Sequence, residues 1–244
     1  MLLDAGAHTN AQGGIYSNTL RAASIQGYDR IVQMLLDAGA DVNAQGRAYG
    51  NALYVASRHG YEKVVQMLLD AGADVNAQEG AEGNALYAAS KKGHEKVVQM
   101  LLDVGADVNA QGGAYGNALQ AASKGGHVKV VQMLLDVGAD VNAQGGAYGN
   151  ALQATSRYGY EKVVQMLLEA GADVNAREGA YGNALQAASF KGHEKVVQIL
   201  LDTGADIDAQ GLYSDALQAA SFKGHKKVVQ TLLKQRAKVA HVSY

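Results

Sequence analysis

Residues 116–148 read GNALQAASKGGHVKVVQMLLDVGADVNAQGGAY, and nearly all of the 244-residue chain is a copy of this stretch. Gly-Ala-Asp recurs at Gly39, Gly72, Gly105, Gly138, Gly171 and Gly204, in steps of 33 residues. Asn-Ala-Leu recurs in the same step at Asn51, Asn84, Asn117, Asn150 and Asn183, with variants at Asn18 and Asp215. A fixed period of this length is the mark of a solenoid, in which each unit stacks only on its neighbours.

Within one copy the residue types predict helix, turn, helix, finger. Asn117 precedes the Ala-rich run Ala118–Ser123 and is a strong N-cap, because its side-chain oxygen accepts from the free N–H groups of the first turn. Gly125-Gly126 stops that helix, since glycine tolerates the left-handed conformation of a helix end. Val131, Leu134 and Leu135 lie at i, i+3 and i+4 and define one apolar face of a second helix, which ends at Gly138. Residues 139–149 lack a helical period and carry three glycines, so they read as an extended, turn-containing finger. Small residues on the first helix (Ala121, Ala122) allow close approach of the next copy, and the second-helix apolars fill the layer between.

The signature Gly126-His127, Val130-Val131, Leu134-Leu135 and Gly138-Ala139-Asp140-Val141-Asn142-Ala143 resembles the ankyrin repeat, whose period is also 33 residues. The resemblance implies an all-α repeat solenoid of stacked helix-turn-helix units with extended, β-hairpin-like fingers. It also implies a non-catalytic protein–protein interaction scaffold that binds a partner along its concave groove. Two features depart from the family pattern. The usual Thr-Pro-Leu-His start is here Asn117-Ala118-Leu119-Gln120, and the chain has no proline, so asparagine capping must replace the Thr–His hydrogen bond. In the finger, Tyr115-Gly116 stands where the family has Gly and a variable residue. The Asn-Ala-Leu-Gln variant is similar to arrays on large fungal NTPase receptors of the innate-immunity type, which implies a recognition segment of a larger receptor.

The repeat boundaries expected from the motif are a partial repeat at 1–16, full repeats at 17–49, 50–82, 83–115, 116–148, 149–181 and 182–213, and a capping repeat at 214–244. Residues 1–8 match the end of a second helix and its turn, so the first complete repeat is expected to expose an apolar flank suited to self-association. The final Gly-Ala-Asp is replaced by Arg236-Ala237-Lys238. Lys223, Lys226, Lys227, Lys234, Arg236 and Lys238 give residues 221–244 a charge of +6, against −8 for the rest and −2 overall. Cations at a helix C-terminus are favoured by its dipole, and a solvent-facing cap is the simplest reading of this tail, ahead of a site for an acidic partner. Val239–Tyr244 is expected to fray.

Cysteine is absent, which excludes a disulfide framework and thiolate metal sites. No apolar run is long enough to span a membrane and no signal-peptide pattern opens the chain, so the expected location is cytoplasmic. No nucleophile–base set, phosphate-cradling loop or zinc spacing is present; neither enzyme activity nor a cofactor is expected. His94, His127, His193 and His225 interchange with Tyr28, Tyr61 and Tyr160 along the array, which suits packing rather than metal ligation. The acidic rows Asp70/Asp103/Asp136/Glu169/Asp202 and Asp74/Asp107/Asp140/Asp173/Asp206 repeat in every unit and are features of the fold, the second set bonding the turn backbone.

Variation in a near-invariant array is the functional signal. The two positions after the helix-one serine carry Arg58, His59, Lys91, Lys92, Lys124, Arg157, Tyr158, Phe190, Lys191, Phe222 and Lys223, all at helix ends expected to face the groove. The position after each leucine also varies, through Arg21, Tyr54 and Tyr87 to glutamines. Arginine and aromatic residues are enriched at binding hot spots, so these positions, with Tyr54 and Tyr87, are the expected partner-binding strip, and the partner an acidic protein surface. A finger column, Tyr16, Tyr49, Tyr115, Tyr148, Tyr181 and Tyr213, interrupted by Glu82, is expected to stack and stiffen the fingers. A structural spacer or self-assembling array, and a binder of acidic polymers such as nucleic acid, are the competing functions.

Overall fold

The computed structural model describes residues 10, 18–45, 50–78, 83–177, 179, 182–211 and 215–242. They fall into two compact units, residues 1–114 and 115–244. In the first unit the helices are α1 (Thr19–Gln26), α2 (Asp29–Asp37), α3 (Ala52–His59), α4 (Glu62–Asp70), α5 (Ala85–Lys92) and α6 (Glu95–Asp103). In the second they are α7 (Ala118–Gly125), α8 (Val128–Asp136), α9 (Ala151–Tyr158), α10 (Glu161–Glu169), α11 (Ala184–Lys191), α12 (Glu194–Asp202), α13 (Ala216–Lys223) and α14 (Lys226–Val242). Odd-numbered helices stack on one another within each unit, and even-numbered helices form a parallel outer row.

The local chemistry is that of the sequence. Each first helix starts at an asparagine, or in α13 at Asp215, whose side chain accepts from the backbone N–H three residues on, as in Tyr54 N to Asn51 Oδ1 at 2.8 Å and Gln153 N to Asn150 Oδ1 at 2.8 Å. Each ends at a left-handed glycine, from Gly27 to Gly224. First helices are sunk almost whole between their neighbours; second helices bury one face, Val130, Val131 and Leu134 in α8. Leu135, expected in that layer, is only half-buried; the buried face runs through Val130 instead.

The fingers are mostly turns. Hairpin character shows at the antiparallel bridge of Gly145 with Gly149, closed by Gly145 N–H donating to Gly149 O at 2.8 Å. Consecutive turns are clamped by the asparagine of Gly-Ala-Asp-Val-Asn. Asn43 Nδ2 donates to Gly72 O at 3.1 Å while its Oδ1 accepts from Asp74 N at 2.8 Å. Asn142 and Asn175 make the same pair of bonds in the second unit.

The tail differs from expectation. Rather than fraying after residue 238, α14 continues to Val242; Ser243 and Tyr244 lie outside the described residues. The tail is also tied down chemically. In the last turn the clamping asparagine is replaced by Asp208 and the glycine it would meet by Arg236. Arg236 donates to Asp208, with Nε at 2.8 Å, and its Nη2 reaches Asp215 Oδ2 at 3.2 Å. Asp215 is the one acidic N-cap among the first helices, holding Gln218 N at 2.7 Å. An ion-paired clip thus takes the place of the repeating amide clamp.

Candidate functional site

The positions singled out by variation divide into two sets with opposite roles. The residue after the leucine is the third residue of its helix, and in α1, α7, α9 and α11 its side chain donates to the backbone of the following finger, whereas Gln218 of α13 is exposed. Arg21 Nε donates to Gly50 O at 2.8 Å. Gln120 Nε2 donates to Ala143 O at 2.8 Å and Gly149 O at 3.1 Å, and Gln153 repeats this with Ala176 O and Gly182 O. Tyr54 and Tyr87 sit in this same column and are each only 2 % exposed. The Tyr87 ring lies where a Cβ on Gly113 would come within 2.3 Å of it. Both tyrosines are therefore part of the packing between repeats and drop out of the binding strip expected from the sequence: an aromatic ring closes the finger here where a glutamine amide does so elsewhere.

The helix-end positions are the ones presented to solvent. In the first unit Arg58, His59 and Lys92 are exposed and Lys91 is half-buried. His59 stacks on Tyr61 with centroids 5.6 Å apart, and Lys91 Nζ lies 5.7 Å from the Tyr87 ring. Burial, followed by the charge of Arg58, His94 and Lys92, lowers the His59 pKa. In the second unit Tyr158, Lys191, Phe222 and Lys223 are exposed and Lys124, Arg157 and Phe190 half-buried. Phe222, at 72 %, is the most exposed of the large apolar side chains among the described residues.

The second unit collects these side chains into clusters. Tyr115 and Tyr148, from successive fingers, stack at 5.7 Å. Tyr148 meets the helix end edge-on at Tyr158, with the two hydroxyls 2.7 Å apart, and Tyr158 stacks on Tyr160 at 6.1 Å. Lys124 Nζ stands 4.7 Å from the Tyr115 centroid and 5.6 Å from that of Tyr158, while the Arg157 guanidinium lies over Tyr148 and Tyr158. Further along, Phe190 has Lys223 at 4.6 Å and Lys191 at 5.7 Å. Tyr16, Tyr49, Tyr181, Tyr213 and Glu82 lie outside the described residues.

The other candidates have local duties. His94, His193 and His225 each place Nε2 3.0–3.1 Å from a backbone oxygen of the preceding repeat, at Arg58, Arg157 and Phe190. A carbonyl can only accept, so Nε2 carries the proton and donates. The aspartates that end the outer helices accept from the glutamine four residues earlier, as Asp70 does from Gln66 at 2.7 Å. Those of Gly-Ala-Asp hold the N–H two residues on, as Asp74 does for Asn76 at 2.9 Å.

Patterns for ankyrin repeats in three copies match residues 1–79, 19–112, 57–145 and 86–178, and a pattern for ankyrin repeats in many copies matches 184–233. The chain belongs to the ankyrin repeat family. Among solved structures it is similar to the human ASB11 ankyrin repeat domain, with a TM-score of 0.80 and 26 % identity over 89 % of this chain and 97 % of that one. No curated protein matches significantly by sequence. Ankyrin repeats serve in general as protein–protein interaction scaffolds and are typically not enzymes. No described helix is long and apolar enough to cross a membrane.

Proposed function

We propose that this ankyrin array is a non-catalytic scaffold that binds an acidic protein surface through the exposed ends of its first helices. One contrast carries the reading. Lysines of the outer helices are paired with carboxylates of the preceding repeat: Lys63 with Asp29, Lys96 with Glu62, Lys195 with Glu161 and Lys227 with Glu194. At the helix-one ends, Lys92, Lys124, Lys191 and Lys223 have no carboxylate partner among the described residues, and the last three stand over aromatic rings instead. Such cations keep their charge available to a partner, and the neighbouring rings supply contact area with little conformational entropy to lose. Placement on a larger receptor of fungal type is supported by the Asn-Ala-Leu-Gln start.

The test is a paired capture from cell lysate with the wild-type chain and a variant carrying Lys92→Glu, Lys124→Glu, Lys191→Glu and Lys223→Glu. All four side chains are at least partly solvent-facing, so both proteins should give the same circular dichroism. A protein retained by the wild type alone supports the strip; equal retention by both removes it.

Self-association is a second reading, favoured by α2. Met34 is 57 % exposed and flanked by the exposed Tyr28 and Ile31, whereas the equivalent Met166 is 7 % exposed. Mass that rises with concentration in sedimentation, and ceases to rise on Ile31→Glu, would establish it; a constant monomer mass would dismiss it.

A further inference from the structure

The four helix-end cations of the second unit are arranged in pairs, each pair about one ring. Lys124 and Arg157 both lie over Tyr158, at 5.6 Å and 5.9 Å from its centroid. Lys191 and Lys223 both lie over Phe190, at 5.7 Å and 4.6 Å. The members of each pair come from successive repeats: α7 with α9, then α11 with α13. Two positive groups drawn to one ring repel each other, and a carboxylate placed between them interacts favourably with both while its aliphatic stem lies on the ring edge. From these pairings we infer that the unit presents two carboxylate seats, at Tyr158 and at Phe190, and that its ligand is an extended acidic peptide reaching both. This rests on the proposed function and gives that partner a length scale.

The scale follows from the repeat. Tyr158 ends α9 and Phe190 lies in the last turn of α11, successive first helices packed on each other; such helices stand about 10 Å apart, so the two seats are separated by about 10 Å. An extended or polyproline II chain rises about 3.1–3.3 Å per residue, so acids three residues apart span roughly 9–10 Å. Three residues make one turn of polyproline II, so both acids fall on one face in that form. A helical ligand would need acids about 7 residues apart, from its 1.5 Å rise.

Polyproline rulers test this with the full chain. Fluorescein-labelled peptides carry a Glu-Glu pair at each end, with the pairs offset by three, six or nine residues, roughly 9, 19 and 28 Å. Fluorescence polarisation at low salt should favour the three-residue ruler by about tenfold or more, because the second seat is engaged intramolecularly. Lys191→Ala with Lys223→Ala should abolish the preference, leaving all three rulers at the affinity of the remaining seat. Equal affinity for the three rulers, or a preference that survives the double variant, overturns the two-seat arrangement. Tighter binding of an Ala-rich helical peptide with acids about 7 residues apart, or of a single-stranded oligo-dT, overturns the extended-peptide assignment. A strip-dependent partner in the lysate capture, together with rulers that show no preference, would leave the scaffold function standing and remove only the seats.

Discussion

The two units solve one packing problem with different chemistry. Each must seal the third residue of a first helix against the backbone of the next finger. The first unit does so with Arg21, Tyr54 and Tyr87, a guanidinium and two buried rings; the second uses Gln120, Gln153 and Gln186. The glutamine solution is polar and reciprocal. Gln120 Oε1 accepts from Asn117 N at 2.9 Å, completing a capping box, while its Nε2 spans two finger carbonyls. The tyrosine solution is volume. A Cβ on Gly50 would lie 2.4 Å from the Tyr54 ring, and one on Gly83 would lie 3.1 Å from the Tyr87 ring, so each ring fills the space beside a glycine that its positive φ already requires. Identity at this position is free to change as long as the finger carbonyls are either bonded or covered.

The largest effect expected from breaking this equivalence is at the tyrosines. Tyr54→Ala should destabilise the chain by about 3–5 kcal/mol, the range for emptying a buried aromatic site, read as a fall in the urea midpoint. Tyr54→Gln should recover part of that loss, because Ala77 O and Gly83 O occupy the places of the carbonyls that Gln120 binds. If Tyr54→Gln is as damaging as Tyr54→Ala, the two solutions are not interchangeable. On the other side, Gln153→Ala strands the carbonyls of Ala176 and Gly182 and should cost about 1–3 kcal/mol. Hydrogen exchange should localise the opening to α9 and its following finger, since an array unfolds through neighbouring repeats. Protection lost uniformly across the second unit would contradict that locality.

The same column shows where sequence reading ran short. The 33-residue period, asparagine caps and left-handed glycines were legible because each is a backbone requirement repeated in every copy. Variation at the third helical position reads as recognition in the sequence, whereas in the fold it is compensated packing: the side chain is long enough to reach a finger 23–29 residues away, a distance no local pattern encodes. Asn-x-x-Gln was nonetheless visible as a capping box, and it pointed inward. The helix-end strip was legible as exposed. Its pairing of cations about single rings was not, because it arises from stacking two repeats. The Arg236 clip could have been suspected, since Asp208, Asp215 and Arg236 all depart from the repeat together.

The smallest effect, and the one that sharpens the comparison most, is pH. His59 in the first unit and Tyr158 in the second occupy equivalent positions, and each has its pKa lowered, from 6.5 and from 10.0 respectively. The His59 pKa is lowered from 6.5 by burial first and then by nearby cations, so the folded state binds fewer protons than the unfolded chain. The first unit should therefore hold its full stability above 6.5 and lose a little as pH falls through the depressed value. In the second unit burial would push Tyr158 up, but hydrogen bonds from Tyr148 and Arg157 and the charges of Lys124 and Arg157 outweigh it and lower its pKa. Tyr148, by contrast, is pushed up to about 12, by burial and then by donating its proton to Tyr158. The Tyr158 contribution is present above pH 10 and lost as pH falls through its lowered value, whereas the Tyr148 contribution is full below pH 10 and lost towards 12. Phenolate absorbance during an alkaline titration should accordingly show one tyrosine ionising early and one late. Tyr148→Phe should remove the late step and shift the early one towards the ordinary value, because Tyr158 loses its donor. An unchanged early step would mean that the cations alone set Tyr158, and that the contact between finger and helix end has no part in its ionisation.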